Sequence, residues 1–371
     1  MDLNTSSLEH KMVDKLLNEK LEFAIIGLTG KVKAGVSDVC KLLTDKSFCD
    51  RVTKPADTSQ IDMSMTRELI VCYRYLHHNW RPFVEINVTN IIFSFILETE
   101  IEVLKNQKCA DSTIYNIIDD ILKKEESLIS KAYENLKRIE KAIGRDDIFD
   151  LRRVDKLFKE IFISDNRVEN LCSSWLSYKN KIDNDNYFRQ PDVIVFCYGC
   201  LVAISELFER ELRVYGCFTA MYQQYGNNLR GCGKVYISSE DDICPVNLFC
   251  IPDRINKFVK MLRHCGSWNL QSAENKDNKR VNNRVYVVIN NLKNLFEAFY
   301  FRCRYASFYL LAVTCDERER SRRFKKGFSN EVYELNENLS LGKKYIKDGK
   351  KILRVILVKT KKFFWILLRM M

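Results

Sequence analysis

Residues 21–43 read LEFAIIGLTGKVKAGVSDVCKLL, and the fold turns on this stretch. An apolar run, Phe23, Ala24, Ile25 and Ile26, enters a loop carrying Gly27, Gly30 and Gly35. Val36, Val39, Cys40 and Leu43 then follow at helical spacing. A buried strand, a glycine turn and a helix start build a phosphate-binding loop, because glycines let backbone N–H groups converge on an anion at a helix N-terminus. From Gly30 the chain reads G-K-V-K-A-G-V-S, the Walker A spacing G-x-x-x-x-G-K-[ST] with Val36 in the lysine slot. Gly30 and Gly35 bound the candidate phosphate cradle. Ser37 is the candidate Mg²⁺-facing hydroxyl, and Lys31 and Lys33 are substitute cations.

Outward from the loop, residues 8–21 (LEHKMVDKLLNEKL) form an amphipathic pattern ahead of the first strand, and residues 47–60 read as a polar connection containing Pro55. Residues 63–78 (MSMTRELIVCYRYLHH) have helical periodicity, and residues 85–92 (EINVTNII) read as a strand running into a helix. This makes a βαβ unit, which implies a parallel sheet. Late in the chain, residues 284–289 (RVYVVI) and 307–314 (SFYLLAVT) are buried-strand patterns bracketing a helix at 295–305. A further strand pattern lies around Val246–Cys250.

Between residues 94 and 186 Gly144 is the sole glycine. Ile114, Ile118, Ile121, Leu128, Ala132, Leu136, Ile139 and Ile143 recur at spacings of three, four or seven. That is an amphipathic helical insertion whose apolar face packs inward. Helices follow at 191–213, 217–229 and 254–263, with a polar linker at 267–283. The expected fold is α/β, a P-loop NTPase-like, doubly wound, mostly parallel sheet with a large helical insertion. The expected divisions are 1–93 and 191–330 as two halves of the P-loop domain, 94–190 as the insertion, and 331–371 as a charged tail.

The 371 residues carry a net charge of +11, but residues 343–371 hold ten Lys/Arg against Asp348 alone, leaving +2 for the rest. A nearly neutral body argues against nucleic acid as its partner. The fourteen cysteines are scattered, and acidic residues interrupt the first twenty positions where a signal peptide would run apolar, which points to reduced thiols and a cytoplasmic location. Cys197 and Cys200 have C-x-x-C spacing, but a structural zinc site needs two further ligands and no second pair matches it. Buried thiols and a zinc or redox pair are the competing readings, and zinc is not expected.

Past the last strand pattern, residues 316–326 (DERERSRRFKK) bring Arg318, Arg320, Arg322 and Arg323 close together. Arg318 and Arg322 are candidate lid residues over a nucleotide; a solvated helix face with i,i+4 pairs is the alternative. After the strand at 284–289 come Asn290 and Asn291, where a P-loop enzyme presents a carboxylate toward Mg²⁺. The tail 350–371 is basic and apolar together, too interrupted by lysine to span a membrane. It reads as contact with an anionic membrane surface, as ordinary packing, or as a truncated or frameshifted end.

Five separated segments resemble one family: IIGLTGKVKAGVS, NWRPFVEINVTNIIFSF (79–95), FTAMYQQYGNNLRGCG (218–233), LFCIPDRINKFVKMLR (248–263) and VVINNLKNLFEAFYFRCRYASFYLLAV (287–313). Together and in order they resemble the N-terminal P-loop, kinase-like region of bacterial anti-phage dCTP deaminases and their relatives. That family's loop commonly reads G-x-x-G-S-G-C-S-T, so Val36 stands where Cys is usual and Ser37 is kept, while Lys33, Ala34 and Asp38 depart. Its late segment reads I-D-x-x-R-N-P-x-E; here Asn290, Lys293 and Leu295 differ, and Asn294 and Glu297 remain. Family members continue into a zinc deaminase domain marked by H-x-E and P-C-x-x-C. Neither motif occurs in this chain, so deamination by it is not expected.

The resemblance implies a degenerate P-loop module that binds Mg²⁺ with a nucleotide, ATP or a deoxynucleotide, as a sensor or regulatory region in antiviral defence. Such a region would act as a homo-oligomer or beside a separate deaminase. The alternatives are an active nucleotide kinase-like phosphotransferase using Lys31 or Lys33, and an inactive truncated remnant.

Overall fold

The computed structural model describes residues 23–52, 63–105, 113–144, 148–184, 190–236, 244–265 and 285–324. The sequence readings at 8–21, 53–60, 267–283 and 331–371 lie outside these described residues.

The fold is α/β with a four-stranded, all-parallel sheet, in the order β2-β3-β1-β4. The strands are β1 (Phe23–Gly30), β2 (Val84–Asn87), β3 (Val285–Asn290) and β4 (Phe308–Val313). β3, VYVVIN, is buried at every position but Tyr286, as a near-continuous apolar run in a covered parallel sheet should be. β1 pairs with β4 from Ile25 opposite Phe308 to Gly30 opposite Val313. Gly27, inside β1, admits a close neighbour: a Cβ there would stand 2.9 Å from Leu292 Cδ2 and 3.0 Å from Phe308 Cζ.

The chain leaves β1 for β2, two places away, returns to β3, and then crosses past β1 to β4 on the other edge. The direction of winding therefore reverses between β1 and β3. The carboxyl ends of strands at such a switch point are where open α/β sheets bind ligands.

Two compact units divide the chain. One takes Ala24–Glu85, Tyr286–Lys293 and the chain from Tyr305 onward; the other takes Ile86–Val285 and Asn294–Arg304. In the first unit, helix α1 (Val36–Leu43) lays Val36, Cys40 and Leu43 on Leu28 and Val288, with Trp80 and Phe83 at the margin. The segment read as a polar connection contains the short helix α2 (Phe48–Arg51), because Phe48 and Cys49 are buried there and the Phe48 ring meets Trp80 at 4.6 Å. Helix α3 (Met63–Asn79) follows.

The second unit is helical and spans more of the chain than residues 94–190. In order come α4 (Val88–Lys105), α5 (Thr113–Leu122), α6 (Glu125–Ile143), α7 (Arg152–Phe162), α8 (Arg167–Asp183), α9 (Pro191–Val214), α10 (Phe218–Cys232), α11 (Cys250–Cys265) and α12 (Leu295–Arg304). All eight apolar residues of the predicted stripe, from Ile114 to Ile143, are buried. Helix α9 is long and apolar enough to cross a membrane, yet 78% of that window is buried, as in the core helix of a soluble protein. The strand pattern around Val246–Cys250 is a 3₁₀ turn, Pro245–Phe249, that leads into α11. Pro245 lacks the N–H a ladder needs, and Val246 is exposed, so no apolar face drives a strand there.

Candidate functional site

β1 ends at Gly30 and the chain turns through residues 31–35 into α1. A Cβ on Gly30 would lie 2.5 Å from the Val313 carbonyl oxygen and 2.8 Å from Val36 Cγ2, so close approach of backbone requires glycine here. Lys33 (φ 65°) and Gly35 (φ 100°) are both left-handed. Gly35 is the N-cap of α1, and its carbonyl accepts from the amides of Asp38 (3.0 Å) and Val39 (3.1 Å). The Lys31 carbonyl accepts from Ala34 at 3.0 Å.

The amides of Val32, Lys33, Gly35, Val36 and Ser37 donate to no backbone carbonyl among the described residues, and α1 has no side-chain cap. The last three are consecutive and open a helix, where the dipole favours negative charge. Left-handed residues beside such amides make the concave turn that receives anions.

Val36, in the lysine slot, is buried against Leu28, Cys40, Leu43 and Val288. Its side chain points into the core, so this position supplies no cation. Lys31, Lys33 and Ser37 are exposed.

The arginine-rich segment forms helix α13 (Glu317–Phe324). Its arginines pair largely with their own helix: Arg322 with Glu319 at 3.0 Å, Arg323 Nε with Glu319 at 3.1 Å, and Arg320 with Glu317. Arg320 beside Glu317, helped by Lys31, holds that carboxyl below its usual range, and Arg323 and Arg322 do the same for Glu319. One arginine also reaches the loop. Arg323 Nη1 donates to the Lys33 carbonyl at 3.3 Å and lies 3.4 Å from where a Gly35 Cβ would be. Of the two lid candidates, Arg318 is exposed and Arg322 is tied to Glu319; the residue against the loop is Arg323.

At the carboxyl end of β3, Asn290 is buried and its Nδ2 donates to Glu85 Oε1 on β2 at 2.8 Å. Glu85 is exposed, and the Cys40 thiol on α1 lies beside it; burial, with this carboxylate next to it, pushes the thiol far up. The amide at the end of β3 thus brings in a carboxylate from the neighbouring strand. The segment 79–95 contains Glu85, but its partner lies 205 positions away, and nothing in its local spacing marks it.

The remaining motif belongs to the helical unit. Cys197 and Cys200 are fully buried in a π-helical turn of α9, Val195–Cys200, and burial pushes both thiols well up. Among the described residues no group of three or more His, Cys, Asp or Glu side chains gathers to hold a metal. No protein-family model, curated protein or solved structure matches the chain.

Proposed function

We propose that the loop between β1 and α1 binds the phosphates of a nucleotide and that the protein acts as a nucleotide-binding module that does not turn its ligand over. The observation that carries this reading is the run of amides at Gly35, Val36 and Ser37 that meet no backbone carbonyl among the described residues, at a helix start beside the switch point of the sheet. Arg323, next to the loop, adds a guanidinium suited to phosphate oxygens. The resemblance to the sensor region of anti-phage deaminases suggests a phage-altered deoxynucleotide pool as the source of the ligand. The burial of Val36 favours binding over phosphoryl transfer, because that chemistry depends on cations placed against the transferring phosphate.

Calorimetric titration with a panel of ribo- and deoxynucleotides, with Mg²⁺, tests the reading. Binding in the micromolar range is expected. It should be lost in Gly35→Asp, which puts a carboxylate in the cradle, and weakened in Arg323→Ala, which touches no core. No heat from any nucleotide, with a wild-type protein that melts cooperatively, would end the reading. Release of ADP from ATP in the presence of a deoxynucleoside monophosphate, abolished by Lys33→Ala, would replace it with the phosphotransferase.

A further inference from the structure

The end of β3 presents an amide where a carboxylate would be expected to face a cation, and the structure gives that amide an unusual setting. Asn290 is 4% exposed, and its Oδ1 has no hydrogen-bond partner among the described residues. A buried acceptor without a partner is rare and calls for a ligand, a water or an ion. Its Nδ2 is already committed to Glu85 at 2.8 Å, so what the side chain has left to offer is oxygen.

Glu85 is the complement. It is exposed, yet it is held by the Asn290 amide, with the Cys40 thiol beside it. Ser37 precedes Cys40 by three residues on α1 and so shares its helix face. Carboxylate, amide oxygen and hydroxyl oxygen are the hard donors that Mg²⁺ and Mn²⁺ take, and Mg²⁺ typically uses one or two carboxylates together with substrate phosphates.

We infer that Glu85, oriented by Asn290, is the carboxylate that receives a divalent cation here, with Ser37 beside it. The carboxylate absent from β3 is supplied by β2. This deepens the nucleotide-binding reading and rests on it for the source of the phosphates, but the cation site is measurable alone.

Mn²⁺ binding to the full chain, followed by the loss of the free-ion electron paramagnetic resonance signal without nucleotide, is the test. Wild type should bind, and Glu85→Gln should bind at least about 10- to 100-fold more weakly, since losing even a supporting group costs a metal site that much. Glu85 is exposed, so its variant should melt like wild type. Wild-type protein that leaves Mn²⁺ free, or Glu85→Gln that binds as wild type does, overturns the inference. Nucleotide titration in EDTA separates the two claims. Mn²⁺ bound with no nucleotide bound keeps the cation site and removes the nucleotide reading. Nucleotide affinity indifferent to both Mg²⁺ and Glu85→Gln keeps the reading and removes the cation site.

Discussion

Arg323 donates through Nη1 to the Lys33 carbonyl at 3.3 Å, 290 positions earlier in the chain, while its neighbour Arg322 stays with Glu319. Adjacent residues on a helix point about 100° apart, so one arginine of the pair can face the loop and the other solvent. Arg323→Ala should weaken nucleotide binding by about tenfold or more, the scale of one hydrogen bond to a charged group. Arg322→Ala should leave it nearly unchanged. Titration of both variants at physiological ionic strength checks this, and equal losses would mean a diffuse basic field instead of a placed guanidinium.

The lysine slot is occupied by a core residue, so restoring the motif should fail. Val36→Lys would bury an ammonium beside Leu28 and Val288. We expect a loss of roughly 3 kcal/mol or more in urea denaturation, with no gain of ATP turnover, because a buried charge without a partner is costly. Val36→Cys, small and apolar, should cost less than about 1.5 kcal/mol. A stable, phosphotransferring Val36→Lys protein would show that the loop can turn this side chain toward phosphate.

The strands and the loop were legible because their signals are local. Ile25 and Leu28, and Val287 to Ile289, form apolar runs that nothing but a covered strand would bury, and Gly30 stands where two backbones meet. The stripe from Ile114 to Ile143 was readable for the same reason. What was illegible is set by distant contacts. Whether Val246 begins a strand or a 3₁₀ turn depends on its surroundings, and there it is exposed, with no apolar face to bury. The segment at 47–60 hid a helix because just two residues, Phe48 and Cys49, anchor it. At the site, the loop amides followed from glycine spacing, but Glu85 and Arg323 are brought in by the sheet order and by a helix after the last strand.

The same contrast between spacing and surroundings governs the thiols. Cys197, Cys200 and Cys265 are fully buried, whereas Cys244 and Cys303 are exposed. Burial raises the first three well above the ordinary thiol value, so the nucleophilic thiolate is scarce and out of reach. Alkylation followed by peptide mass spectrometry should label Cys244 and Cys303 within minutes, and Cys197 and Cys200 after unfolding. Early labelling of the C-x-x-C pair, or its protection by added zinc, would contradict the packing of the π-helical turn.

In the helical unit the buried charge is better compensated, and its pH signature can be stated in advance. Arg254, 6% exposed, donates to Glu98 Oε1 at 2.7 Å and to Ser94 Oγ at 3.1 Å, and its guanidinium lies 4.2 Å from the Phe95 ring centroid. Trp175 Nε1 also donates to Glu98 Oε1, at 3.1 Å, and Lys179 pairs with Oε2 at 2.8 Å. Helices α4, α8 and α11 are thus joined through one carboxylate. Burial works to raise the Glu98 carboxyl, but Arg254 and Lys179 outweigh it and hold it below the usual value. The folded state therefore binds this proton less readily than the unfolded chain does. The stability it contributes is complete above the unfolded carboxylate value of about 4.3 and is lost as pH falls through the lower folded value. Glu98→Gln leaves Arg254 buried without its counter-charge, which should cost about 3 kcal/mol at neutral pH. Urea melts of both proteins from neutral to acid pH check this: the gap should be widest at neutrality and close on acidification. A gap that stays constant down to acid would mean that Glu98 acts by packing and not by charge.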